Sequence, residues 1–144
     1  MPAAVRNDPY KNCNFLVEIE GVVSAGFSEC TGLSSEVEII EYREGGDFRV
    51  RKLPGLAKFG NITLKRGVTK SMDLYNWHRD VLNGQTVRKN GVVILLDDSR
   101  AQVARWVFRE AFPQKYEGPR LNAKSSEVAI ETLVICCESL EREE

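Results

Sequence analysis

The feature that most constrains this chain is a two-residue alternation of apolar and polar side chains, repeated in short runs. Phe15, Val17 and Ile19 fall on one side of an extended segment and Glu18 and Glu20 on the other. Ala104, Trp106 and Phe108 alternate in the same way with Arg105 and Arg109. A period of two places successive side chains on opposite faces of a strand, so each run has one face to bury. Further runs rich in β-branched residues span 36–43, 61–65, 87–96 and 127–137. Turn formers separate them at intervals of about 8–12 residues, the spacing of a β sandwich or barrel. Gly21 reads as a tight turn that returns 22–29 as a second strand, making a hairpin with 15–20. Asn90-Gly91 reads as a bend or turn within 87–96, and Asp97-Asp98-Ser99 as a turn. The segment 113–123 reads as loop, 1–14 as a flexible arm, and the acidic tail 138–144 as frayed.

One segment has a different period. Over 69–83, Leu74, Trp77 and Val81 recur at helical spacing and form a packing face, with His78 at its flank. Thr69 or Ser71 is placed to cap the N-terminus, Asp73 lies in the first turn, and Gly84 follows as a stop. The expected architecture is therefore mainly β with one flanking α-helix. Its 144 residues suit a single domain with one core.

The stretch 44–60 fits neither period. Glu44, Gly45, Gly46, Asp47, Phe48, Arg49, Val50, Arg51, Lys52, Leu53, Pro54 and Gly55 combine paired glycines, basic residues and a Pro-Gly step, which suit a long exposed loop or a protruding hairpin. Arg43, Arg49, Arg51, Lys52, Lys58, Lys65 and Arg66 make the middle of the chain basic, while Glu18, Glu20, Glu36, Glu38, Glu41 and Glu44 precede or border it. Three readings stand side by side: a nucleic-acid surface, a solvated face, or an interface whose acidic partner lies elsewhere on the same chain sequence, available from another copy in a homo-oligomer.

Signals for chemistry are sparse. The formal net charge is -1, which exerts no general pull on nucleic acid or anionic lipid. Cys13, Cys30, Cys136 and Cys137 form no CxxC pair, and a single His leaves no zinc pattern. These cysteines read as reduced, structural thiols. Asp97 and Asp98 are explained by the turn, and Gly45-Gly46 is not followed by GK[ST]. No catalytic residue, metal site or cofactor is expected. No apolar run approaches the roughly 18–20 residues that span a bilayer, and the N-terminus has no apolar signal core, so synthesis in the cytoplasm without membrane insertion is expected.

Several ordered motifs carry a resemblance. DPYKN at 8–12 and NFLVEI at 14–19, AGFSE at 25–29, TGL at 31–33, IEYREGGD at 40–47, RKLPG at 51–55, NITLKRG at 61–67, DLYNW at 73–77 and NAKSSEVAIE at 122–131 together resemble phage tail-tube proteins. They look most like the inner-tube proteins of extracellular contractile injection systems, which are related in fold to the secreted tube protein of type VI secretion. That resemblance implies an Hcp-like β-barrel of two packed sheets with a flanking helix. It implies homohexameric rings stacked into a hollow tube within a contractile sheath, with baseplate, spike and tube-terminating partners. It implies protein cargo in the lumen, or DNA if the tube belongs to a phage. The ring-stacking contact is expected at Arg43, Glu44, Gly45, Gly46, Phe48, Arg49, Arg51, Lys52, Leu53 and Pro54. An enzyme or small-ligand barrel and a nucleic-acid-binding barrel are the competing readings.

Overall fold

A 16-residue strand, Gln102–Glu117, is shared between two sheets and sets the architecture. In the computed structural model, which describes residues 8–22 and 26–144, the elements are β1 (Phe15–Ile19), β2 (Phe27–Thr31), β3 (Ser35–Tyr42), β4 (Arg51–Phe59), β5 (Ile62–Gly67), α1 (Asp73–Leu82), β6 (Lys89–Leu96), β7 (Gln102–Glu117), β8 (Ile130–Cys136) and β9 (Ser139–Arg142). Hydrogen-bonded neighbours run β1-β6-β7-β8-β5-β2, and β9 pairs with β7. The first half of β7 lies between β6 and β9, and its second half pairs with β8.

The change of partner follows from a change of face. Ala104 and Phe108 are buried in the first half, and Ala111 and Pro113 in the second. The parity shifts at Glu110, whose φ is +53°. One residue in that left-handed region rotates the strand and re-aims every side chain after it. The strand therefore continues through Pro113, where a loop was expected. The two layers meet in one core of Val17, Ile19, Val93 and Phe108 against Ile62, Leu64, Leu133 and Ile135, with Leu74 and Trp77 of α1 alongside. The expected mainly-β fold of two packed sheets and one flanking helix is the fold observed.

Several local expectations are corrected. β1 does not form a hairpin with β2: it pairs antiparallel with β6, while β2 pairs with β5. Of the strand expected over 22–29, residues 23–25 lie outside the described residues, as do 1–7 of the expected arm. Asn90-Gly91 does not turn the chain but sits at a register shift inside β6. A Cβ at Gly91 would run into the Phe108 ring and lie 2.8 Å from the Glu18 carbonyl oxygen, so the glycine admits the ring of a fully buried side chain. The helix starts later than expected, at Asp73, with Met72 as N-cap and no side-chain cap. The Thr69 hydroxyl instead accepts from the Ser71 N–H at 3.2 Å, shaping the approach turn. Gly84, at φ +82°, ends the helix as expected.

The tail is not frayed. β9 carries Leu140 onto the core, and its acidic residues face arginines of β7: Arg105 to Glu143, Arg109 to Glu141 and Arg109 to Glu143, each at 3.5 Å. The turn at Asp97 behaves as expected. Its carboxylate accepts from the Ala101 N–H and from the Ser99 N–H and hydroxyl, and these bonds, led by that of Ala101, hold its pKa below the ordinary value.

A buried charge pair closes the end of the core beneath α1. Arg66 and Glu131 face inward from registered positions on β5 and β8. Arg66 Nε donates to Glu131 Oε1 at 2.6 Å, and the Tyr116 hydroxyl donates to Oε2 at 2.7 Å. Arg66 Nη2 reaches the Ser71 carbonyl at 3.5 Å, and its guanidinium lies 5.9 Å from the Phe27 ring centroid. Desolvating two charges is offset only when they hold one another, so removing one partner is the costly change. Glu131→Ala is expected to lower stability by roughly 3–5 kcal/mol, read by urea unfolding. Burial, then the bond to Glu131, pushes the Tyr116 hydroxyl from 10.0 up to about 12. A raised phenol pKa favours the protonated form in the folded state. The stability margin of the wild type over Tyr116→Phe is therefore expected to hold below pH 10 and vanish as pH rises through about 12.

Candidate functional site

The remaining strands, β3 and β4, form a separate two-stranded antiparallel ribbon. They pack chiefly against each other and not against the body. β2 leads into β3 and β4 into β5, so 27–67 is one long hairpin with a kink where the ribbon leaves the core. Glycines occupy both sides of that kink. Gly32 has φ +91°, and a Cβ there would collide with the Asn61 carbonyl. A Cβ at Gly60 would meet the Ser34 hydroxyl. The Gly60 N–H donates to the Ser34 carbonyl at 2.9 Å, tying the two sides together. With β4 at 9 residues, the ribbon is roughly 25 Å long.

Of the two expectations for 44–60, an extended loop or a protruding hairpin, the structure has the hairpin. Residues 51–59 are strand, so Arg51, Lys52, Leu53 and Pro54 lie on β4, while Arg43, Glu44, Gly45, Gly46, Phe48 and Arg49 lie at the tip. Pro54 is tolerated because it sits beside a bulge in a ribbon with no sheet beyond it. The tip is ordered locally. The Asp47 N–H donates to the Glu44 carbonyl at 3.0 Å across Gly46, whose φ is +87°. Asp47 Oδ1 accepts from the Arg49 N–H at 2.9 Å, and Asp47 pairs with Arg51 at 3.4 Å.

Every residue of β3 is exposed. Val37, Ile39, Ile40, Tyr42, Val50, Leu53 and Leu56 are all exposed large apolar or aromatic residues, and Phe48 at the tip is 97% exposed. Charge is segregated by strand: Glu36, Glu38 and Glu41 on β3, Arg51, Lys52 and Lys58 on β4. Of the basic set read from the sequence, Arg66 is not a surface group at all, and Lys65 pairs with Glu29 at 3.6 Å. Leu74 and Trp77 of the expected helix face are buried, and Val81 is half-buried.

The body has its own open edges. β1 and β2 are the ends of the strand path. Between them lies a groove of about 460 Å³ lined by Phe15, Cys30, Leu33, Val93, Leu95 and Trp106. Among the described residues, the outer edges of β1, β2 and the ribbon have no strand partner, the condition for pairing with another chain. His78 stacks near Tyr116, with ring centroids 6.4 Å apart, and its Nδ1 lies 3.3 Å from the Pro113 carbonyl, a packing role. Among the described residues no group of three metal-ligating side chains lies together, and no helix is long and apolar enough to cross a membrane.

Residues 11–141 match the T4-like virus tail tube protein gp19 family. The chain belongs to that family. As a tail-tube protein it is a structural subunit. No curated protein matches the sequence. Among solved structures, a chain of the extended PVC sheath–tube complex of an extracellular contractile injection system is 25% identical, at a TM-score of 0.85, covering 94% of this chain and 91% of that one. A chain of the anti-feeding prophage baseplate is 26% identical at TM-score 0.85, covering 95% and 97%. Hcp1 from Flavobacterium johnsoniae shares the fold at 19% identity and TM-score 0.58, covering 90% and 94%.

The described cysteines are all free thiols, and burial raises that of Cys30 to about 11. Cys137 is buried, and its Sγ lies 3.9 Å from the Gly60 carbonyl, while Cys136 is half-buried on the other side of the strand. Assembly of the tail-tube protein is therefore expected to proceed equally with and without reductant, as measured by sedimentation of tubes; loss of assembly in reductant would show a disulfide role.

Proposed function

We propose that this tail-tube protein is the inner-tube subunit of a contractile injection particle, acting by self-assembly and not by catalysis. Its copies form homohexameric rings that stack into a hollow tube inside a contractile sheath. Baseplate and spike proteins hold one end and a tube-terminating protein the other, and protein cargo occupies the lumen. The subunit is made in the cytoplasm and leaves within the particle. The likeness to chains of injection systems supports an injection particle over a phage tail, and protein cargo is part of that reading.

The observation that carries this reading is the ribbon. A two-stranded hairpin standing free in water is marginal at best, and this one exposes apolar residues along its whole length. A neighbouring copy supplies the missing cover. Arg43, Glu44, Gly45, Gly46, Phe48, Arg49, Arg51, Lys52, Leu53 and Pro54 form the contact between stacked rings. Each exposed ion pair there is worth only about 0.2–1 kcal/mol, whereas burying Phe48 or Leu53 contributes about 1.5–3 kcal/mol. Apolar anchors therefore dominate, multiplied by the copies in a ring.

Negative-stain imaging of the purified chain tests the reading directly: rings and stacked tubes are expected, and a chain that stays monomeric at high concentration refutes it. Replacing Phe48 and Leu53 with Asp is expected to leave a folded subunit, by circular dichroism, that forms no tubes. Long tubes from that double variant would remove the ribbon from the stacking contact.

A further inference from the structure

Strand β9 covers the outer edge of the first half of β7, and charge holds it there. Arg105 and Arg109 project from β7 on the side opposite buried Ala104 and Phe108. Arg105 pairs with Glu143, and Arg109 with Glu141 and Glu143, each at 3.5 Å. Arg88, just ahead of β6, pairs with Glu138 at 3.2 Å, and Gln102 donates to Glu144 Oε2 at 2.6 Å. Every glutamate over 138–144 therefore has a partner outside the segment. Leu140, which lies opposite Phe108 and packs on the core, is the one apolar residue of β9.

The fit is loose. A well-made bond between charged groups brings nitrogen and oxygen to about 2.7–2.9 Å, and the buried pair of Arg66 and Glu131 is as close as 2.6 Å. The pairs under β9 are longer. Arg105 Nε is buried and makes no hydrogen bond, although Glu143 lies 3.5 Å away. The side chains of these pairs are also largely open to water, so salt weakens each of them. Backbone bonds flank the ladder: the Arg105 N–H donates to the Glu144 carbonyl at 3.2 Å, and the Glu138 N–H to the Arg109 carbonyl at 3.1 Å.

We infer that the outer edge of β7 is a receptor for an extended acidic segment of a partner protein, and that β9 occupies it within the chain. The edge offers ladder hydrogen bonds along 106–109, an apolar seat at Phe108 and arginines on the outer face. A strand with carboxylates at alternate positions and an apolar residue between them suits all three. β9 shows that pattern in Leu140, Glu141 and Glu143, but it leaves Arg105 Nε unsatisfied. A segment whose carboxylate bonds that nitrogen has the advantage over β9. This edge is separate from the ribbon and from β1 and β2, so the inference does not rest on the tube reading.

Amide exchange by NMR tests it, on the dilute full chain carrying Glu141→Gln with Glu143→Gln. These substitutions remove the three pairs to Arg105 and Arg109. Each exposed pair is worth a few-fold in an equilibrium constant, so the Arg105 and Glu138 N–H groups are expected to exchange about tenfold faster than in the wild type. Amides that pair β5 with β8 are expected to keep their wild-type rates. A synthetic peptide with the sequence of residues 138–144 is then added at millimolar concentration. It is expected to restore protection of the Arg105 N–H while the Glu138 N–H stays fast, because the carbonyls of the peptide replace those of β9. A peptide with Gln for every Glu, at the same ionic strength, is expected to restore neither. Wild-type exchange in the variant, loosening of β5 and β8 along with β9, restoration by both peptides, or restoration by neither each overturns the inference.

Discussion

A two-stranded ribbon has no interior, and that constraint organises this molecule. Every residue of β3, and every residue of β4 except Gly55 and Phe59, is exposed, whatever its polarity. A packed body can turn its apolar stripe inward; a ribbon can only wait for another surface. The remaining structure fixes where the ribbon stands. The kink at Gly32 and Gly60 sets its departure, and the strands that flank it, β2 and β5, are rooted in the core through Ile62, Leu64 and half-buried Cys30.

The body supplies rigidity by a different device. Because β7 serves both layers, the sheets share a covalent strand and not merely an apolar contact. Arg66, Glu131 and Tyr116 then lock β5, β7 and β8 together directly below the helix. Such a network adds little net stability over apolar packing, but it penalises any shift of one strand past another. That suits an element whose task is to aim a projecting arm.

Much of this was legible in the sequence, and the misses share causes. Alternation located β1, β3, β5 and β8 and the first half of β7, because each has one buried face or a strong β-branched run. It could not pair β1 with β6, since register between distant strands leaves no local trace. It lost the second half of β7 because the change at Glu110 flips the parity and Pro113 resembles a breaker. It lost β9 because Glu138, Glu141, Glu143 and Glu144 read as a solvated tail until Arg105 and Arg109 are seen beside them. Arg66 was counted as surface charge because its partner is 65 positions away. The exposed stretch was recognised by composition as a loop or a protruding hairpin, yet the bounds of β4 within it were missed: its apolar residues answer mostly to no core of their own chain, so their spacing lacks a single inward face.

That last miss explains itself physically. A strand selected for one core keeps one polar face; a strand selected for two partners keeps none. The pattern in β3–β4 answers to no surface that the described residues of its own chain provide. If both faces must be covered, a copy added alone gains only part of the burial available, and the full gain comes when neighbours on both sides are present. Weak first contacts and strong completed ones make growth cooperative, in the way helix nucleation costs more than propagation. Glu36 and Glu41 of β3 face Lys58 and Lys52 of β4 across the ribbon, so its charges are matched within one chain while its apolar residues stay exposed.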